Sequence, residues 1–159
     1  MKLRASFDQT QVKHANLLRR LAAWVYDAFV IAAILFFISG IWIAFNQGEA
    51  INSAQRPFYQ SSLFISAFAY CAYAWTRSGQ TIGMMAWRLR VQTPEGGRIT
   101  YLMSIKRFLM AGVSMLLCGL GYLAMLLGDE HLTWHDRVSG TQVILLPKRD
   151  KKAAKRSAA

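Results

Sequence analysis

The run from Leu21 to Phe45 constrains this chain more than any other stretch, because its twenty-five residues are predominantly apolar and carry a single charged group, Asp27. At about 1.5 Å rise per residue, such a run makes a helix of roughly 37 Å, long enough to cross a bilayer with some tilt. Asp27 lies seven positions in from Arg20, about 10 Å along that helix. A carboxylate at such a depth costs roughly 2.5–3.5 kcal/mol on insertion scales, so the fold has to supply it with partners.

The rest of the chain agrees with a membrane setting. Of 159 residues, 54% are hydrophobic and 17% charged, and the apolar residues fall in three blocks. The net charge of +11 raises the question of nucleic acid, and its distribution answers it. Five basic residues lie in 1–20, six in 76–107 and seven in 128–159, whereas the connector 46–59 carries only Glu49 and Arg56. Basic charge that brackets apolar blocks follows the positive-inside rule, and points to anionic lipid headgroups as partners rather than to nucleic acid. Cys71 and Cys118 each sit inside an apolar block without metal-ligand spacing, which reads as two buried structural thiols. The long polar N-terminal region and the length of the first apolar run argue for an uncleaved anchor, not a signal peptide.

In chain order, residues 1–18 read as a cytoplasmic arm, 19–147 as the membrane domain and 148–159 as a basic tail on solvent or headgroups. Segment one has Trp24 and Tyr26 near one end and Trp42 near the other, as aromatic belts require, and Gly40 with Ala44 forms a small-residue notch for a neighbouring helix. Segment two spans about Pro57 to Trp75, with Ser62, Ser66, Tyr70 and Ala74 on one stripe suited to hydrogen-bonding other helices. Thr81–Trp87 predicts a short interfacial helix with Ile82, Met85 and Trp87 toward lipid. Arg88–Thr93 alternates charged and apolar residues as a strand does, and Pro94-Glu95-Gly96-Gly97 is a turn. The third block, Phe108–Leu127, carries Gly112, Gly119 and Gly121. A complete third span would also put the basic tail outside, so a break at Gly119–Gly121 that returns the tail to the cytoplasm is expected. Gly140–Leu146 is a second strand-like run, and its natural pairing partner is Arg88–Gln92. The expected fold is therefore all-α and integral to the membrane: a small bundle of two full spans, a third broken segment, and a short cytoplasmic strand pair.

The candidate site is a polar network of Arg20, Asp27, Arg107, Asp136 and Arg137. Arg20 and Asp27 share a helix face, but helical side chains lean toward the N-terminus, so Arg20 leans away from Asp27. The expected partners of Asp27 are Arg107 or Arg137 from another segment. His131 and His135 have the i,i+4 spacing of two metal ligands, yet no third ligand has suitable spacing, so neither a metal nor a cofactor is expected. No phosphate loop and no nucleophile–base arrangement stands out, which argues against an enzyme.

Taken together, these pieces resemble the RDD family of small bacterial membrane proteins, named for one arginine and two aspartates. The resemblance is carried by Arg19-Arg20-Leu21-Ala22-Ala23 with Asp27, by Gly79-Gln80-Thr81-Ile82-Gly83 leading into Arg88-Leu89-Arg90-Val91, and by the Gly96-Gly97 turn with Lys106-Arg107-Phe108. Thr133-Trp134-His135-Asp136-Arg137 through Gly140-Thr141-Gln142-Val143 completes it. The match covers roughly residues 17–147 and implies that Arg20, Asp27 and Asp136 are the family's named residues. One departure is Met84, where many members have lysine. With the charge distribution, which favours a cytoplasmic N-terminus, the expectation is a multi-pass protein of the bacterial inner membrane. The family has been suggested to act in transport of unidentified ligands, some members as cation/proton antiporters. On that footing the expectation is a transport-related protein with Asp27 as the intramembrane carboxylate, working as a homo-oligomer or with a membrane-protein partner. The alternative is an accessory or interaction module in which the same charges are structural.

Overall fold

A computed structural model describes residues 13–117, 119–126 and 132–147. Strand β1 (Lys13–His14) precedes the long helix α1 (Leu17–Phe45), and α2 (Arg56–Arg77) returns along it. Asn16 starts α1 by accepting a hydrogen bond from the Arg19 amide at 3.3 Å, which satisfies one of the helix's orphan donors. At one end of the pair Tyr70 meets Asp27, and at the other Trp42 stacks edge-on against Tyr59 at 5.9 Å, so the helices run antiparallel. Two reciprocal amide hydrogen bonds between Asn46 and Gln55, at 3.1 and 2.8 Å, close the connection.

Among the described residues, α1 is the one helix long and apolar enough to cross a membrane. Its middle is bare of protein: Phe29 is 74% exposed and Phe36 is 83% exposed. Large aromatic rings on such a surface are at home against lipid and not in water. The expected stripe on α2 does bond to its neighbour, with Ser62 accepting from Trp42 Nε1 at 2.9 Å. The expected notch at Gly40 takes no helix, since an added Cβ there would meet nothing within 4 Å.

After α2 come α3 (Ile82–Ala86), β2 (Leu89–Gln92), α4 (Tyr101–Leu116), α5 (Leu120–Leu123) with a single 3-10 turn behind it, α6 (Trp134–Ser139) and β3 (Gln142–Leu145). The third apolar block is broken as its glycines suggest. Helix α4 stops at Leu117, and Gly119 takes φ +80, a left-handed conformation that favours glycine. At Gly121 a Cβ would overlap Ser114 Oγ, so the returning turn lies directly on α4.

The strands form one antiparallel sheet in the order β1-β3-β2, with Arg90 opposite Ile144 and Gln92 opposite Gln142. The expected pair is present, and a third strand joins it: Lys13 pairs with Leu145, inside the stretch read as an arm. The sheet therefore gathers residues 13–14, 89–92 and 142–145 at the end of the bundle where α1 begins and α2 finishes. The buried core lies there too. Ala15, Leu89, Val91, Ile99 and Val143 are all nearly inaccessible and pack with Ala23, Cys71 and Trp75 at the adjoining ends of the helices. The packed core thus sits at one end of helices whose remaining surface is apolar and exposed, which is compatible with a membrane location.

Candidate functional site

At the junction of sheet and helices, Asp136 is completely buried between two arginines. Arg20 Nη1 donates to Asp136 Oδ2 at 2.5 Å, and Arg107 Nη1 donates to Asp136 Oδ1. Each guanidinium is anchored further. Arg20 Nε donates to the Ala15 carbonyl at 3.2 Å and Nη2 to the Val143 carbonyl at 3.4 Å. Arg107 Nη1 also donates to Thr141 Oγ1 at 2.8 Å, and the guanidinium lies 5.4 Å from the centre of the Trp75 ring. The carboxylate is itself placed by a capping box that starts α6: Thr133 Oγ1 accepts from the Asp136 amide, and the Asp136 carboxylate accepts from the Thr133 amide. One carboxylate thus ties together the starts of α1 and α6, the outer part of α4 and strand β3.

Burial alone would raise the Asp136 carboxyl, but the Arg107 and Arg20 guanidiniums outweigh it and hold the group well below the usual carboxylate range. Its neighbour His135 is buried without a countercharge of its own. Burial, reinforced by Arg107, pushes the imidazole down to about 3, with Asp136 opposing. His135 is therefore neutral in the folded chain and packs edge-on against Tyr122 at 4.9 Å. The unfolded chain takes up this proton near pH 6.5, the ordinary value. Stability from the neutral ring is thus whole above that pH and drains as pH falls toward the folded value. We expect the melting midpoint to fall as pH drops from 7 to about 4.5, and His135→Phe, which keeps a ring against Tyr122, to flatten that slope. Thermal melts of both proteins across this range check it; equal slopes contradict it.

Asp27 occupies a second, separate polar node. Tyr70 Oη donates to its Oδ1 at 2.9 Å, Thr81 Oγ1 to its Oδ2 at 2.5 Å, and the Gly83 amide to Oδ1 at 2.9 Å. Thr81 also caps α3, so the carboxylate of α1 receives the first turn of α3 as a docked unit. Sequence logic placed Arg107 or Arg137 beside Asp27, and the structure corrects this. Arg107 is committed to Asp136, Arg137 lies exposed on α6, and uncharged donors hold Asp27. Asp136 takes both Arg20 and Arg107 as ion-pair partners. Arg20 does lean away from Asp27, as side-chain direction requires.

Each position of Gly79-Gln80-Thr81-Ile82-Gly83 now has a physical reason. Gly79 takes φ +75, accepts from the Val91 amide at 2.7 Å, and leaves no room for a Cβ, which would lie 2.6 Å from the Val91 carbonyl oxygen. The Gln80 side chain donates to the Leu89 carbonyl at 2.6 Å. At Gly83 an added Cβ would overlap the Ala23 carbonyl oxygen. Ile82 and Met85 are exposed, as an interfacial helix predicts, whereas Trp87, expected beside them toward lipid, is half-buried and packs against the core.

Between α1, α2 and α4 runs an open cavity of about 980 Å³. Its walls are apolar, from Ala28 and Leu35 of α1 through Phe64 of α2 to Phe108 and Gly112 of α4. Arg20, Asp27, Arg107, Trp75 and His135 reach it at the sheet end. The volume is near the top of the roughly 300–1,000 Å³ range of small-molecule sites. Among the described residues, no group of three or more potential metal ligands is found. His131 and Cys118 lie outside the described residues, while Cys71 is a buried free thiol.

The sequence singled out Arg20, Arg107 and Asp136, which come together, and Asp27, which lies apart. It missed Tyr70 and Thr81 as the partners of Asp27, and Thr133 and Thr141 beside Asp136. The Thr133-x-x-Asp136 spacing is a capping-box signal that was legible. No curated protein and no solved structure matches the chain. A family model described as RDD family matches residues 14–140, and the chain belongs to the RDD family.

Proposed function

We propose that this protein is a multi-pass protein of the bacterial inner membrane, with both ends of the membrane domain in the cytoplasm, and that it serves transport at the cavity between α1, α2 and α4. The observation that carries this reading is the form of the cavity: apolar walls opening between helices, closed at the sheet end by buried polar groups. Its topology is supported by the sheet, in which β1 pairs with β3 and holds the entry to α1 beside the chain's last strand. Two full crossings, by α1 and α2, with α4 entering and turning back at Gly119, fit that arrangement and the basic residues that bracket it. Arg20, Arg107 and Asp136 then serve as the closing structure of the cavity. Asp27 shapes its end by holding α3 in place, and Met84 makes the wall more apolar than a lysine would.

A second reading is favoured by one observation. Asp27 lies on the cavity wall without an ion-pair partner among the described residues, so it could answer directly to a cation or proton. Proteoliposome flux of H⁺, Na⁺, K⁺ and a fluorescent phospholipid, with wild type, Asp27→Asn and Gly112→Phe, tests both. We expect wild-type flux of at least one probe, and its loss in Gly112→Phe, whose ring would fill the cavity from a position where an added Cβ meets nothing within 4 Å. Asp27→Asn puts an amide donor among three donors and should destabilise the chain by about 1–3 kcal/mol. If it keeps the wild-type melting midpoint while cation flux vanishes, the carboxylate itself carries the ion. Absence of wild-type flux for every probe contradicts transport and leaves the accessory-module reading.

A further inference from the structure

The polar end of the cavity is unevenly charged. Among the described residues, the cluster there holds two guanidiniums, Arg20 and Arg107, against one carboxylate, Asp136, an excess of one positive charge. Both arginines are nearly inaccessible yet line the cavity. Two other groups on the same lining, the indole Nε1 of Trp75 and Nδ1 of His135, are buried with no hydrogen-bond partner. A buried polar nitrogen without a partner costs about 1–3 kcal/mol, and the indole can only donate. Excess positive charge beside an unspent donor is complementary to an anion, and guanidinium favours phosphate in particular. The other carboxylate on the wall, Asp27, stands about 10 Å farther along α1 and already accepts from Tyr70, Thr81 and Gly83.

Beyond this polar end the wall continues along α1 as far as Leu35, about 22 Å from Arg20 at helical rise. Past Asp27, that length of wall is apolar on all three helices. A free inorganic anion would leave it empty, and a purely apolar molecule would leave the charge unanswered. Resting on the reading of the cavity as a ligand site, we propose that it binds an anionic phospholipid drawn sideways from the bilayer, with the phosphate at the Arg20–Arg107 end and an acyl chain along α1. The same excess charge selects against a lipid whose headgroup carries its own ammonium.

The test is native mass spectrometry of the detergent-purified full chain, mixed with equal amounts of phosphatidylglycerol, phosphatidylcholine and palmitate. Expected is one phosphatidylglycerol retained per chain, in preference to phosphatidylcholine. Gly112→Phe should weaken retention by roughly tenfold or more without lowering the melting midpoint, because it fills open space. Gly40→Phe, on an exposed part of α1 away from the cavity, should retain lipid as wild type does. Equal retention of the two phospholipids, retention of palmitate alone, or undiminished lipid on Gly112→Phe overturns the proposal. So does a lipid-free dimer that Gly112→Phe dissociates, which would make a second copy of the chain the occupant. Lipid retained without flux of any probe would sink the transport reading alone; flux without retained lipid would sink this inference alone.

Discussion

Asp136→Asn is expected to cost about 3–5 kcal/mol, the usual penalty for removing one partner of a buried ion pair. The loss does not come from a missing contact so much as from what is left behind. Arg20 and Arg107 would remain buried with their shared countercharge gone, and the asparagine amide would turn a donor toward one of them. The capping of α6 would survive in part, since the asparagine oxygen can still accept from the Thr133 amide. A drop in melting midpoint on the order of 10 °C in detergent is the expected readout. Arg107→Met should be milder, because Arg20 and Asp136 remain as a neutral pair. Arg20→Met should fall between, since Arg20 also serves the Ala15 and Val143 carbonyls. An order in which Asp136→Asn is the mildest of the three would contradict the arrangement.

Gly83→Ala is expected to be nearly as damaging, although it adds one methyl group. The new Cβ would overlap the Ala23 carbonyl oxygen and lie 2.9 Å from Asp27 Cγ. Neither can retreat easily: the first is backbone of α1, and the second is held by three hydrogen bonds. Helix α3 would have to lift from α1, releasing the Thr81 and Gly83 donors together. We expect a loss of about 2–3 kcal/mol, the range for overpacking combined with a broken hydrogen-bond node. Gly112→Ala, on α4 where a Cβ meets nothing within 4 Å, is the matched control and should be neutral or slightly stabilising. Equal melting midpoints for Gly83→Ala and wild type would show that α3 does not dock through this contact.

These two nodes also show what was legible before the structure. The apolar run of α1, the broken third segment and the pairing of Arg88–Gln92 with Gly140–Leu146 follow from length, glycine placement and alternation, each of which is a local signal. That Arg20 would look elsewhere than to Asp27 follows from side-chain direction on a helix. Its partner, Asp136, lies 116 positions away in sequence, and no local rule reaches that far. The misassigned partner of Asp27 has a similar cause. Charge arithmetic favours pairing a carboxylate with the nearest spare cation, whereas here two hydroxyls and a backbone amide supply the donors and Asp136 takes the arginines. Strand β1 has two residues, too short for any periodicity to register, and its place in the sheet depends on β3. The cavity was out of reach for a different reason: it belongs to the spacing between three helices and not to any one of them.

The central claim is that the two arginines form one structural unit around the carboxylate they share, Asp136, so that the harm of losing the carboxylate is the harm of stranded positive charge. The triple variant Arg20→Met/Arg107→Met/Asp136→Asn tests it most directly against Asp136→Asn alone. Buried charges replaced by apolar side chains of similar length often cost little, and with methionine at both arginine positions no stranded charge remains beside the asparagine, so the melting midpoint should rise back toward wild type. A triple variant that melts at or below Asp136→Asn would contradict the account.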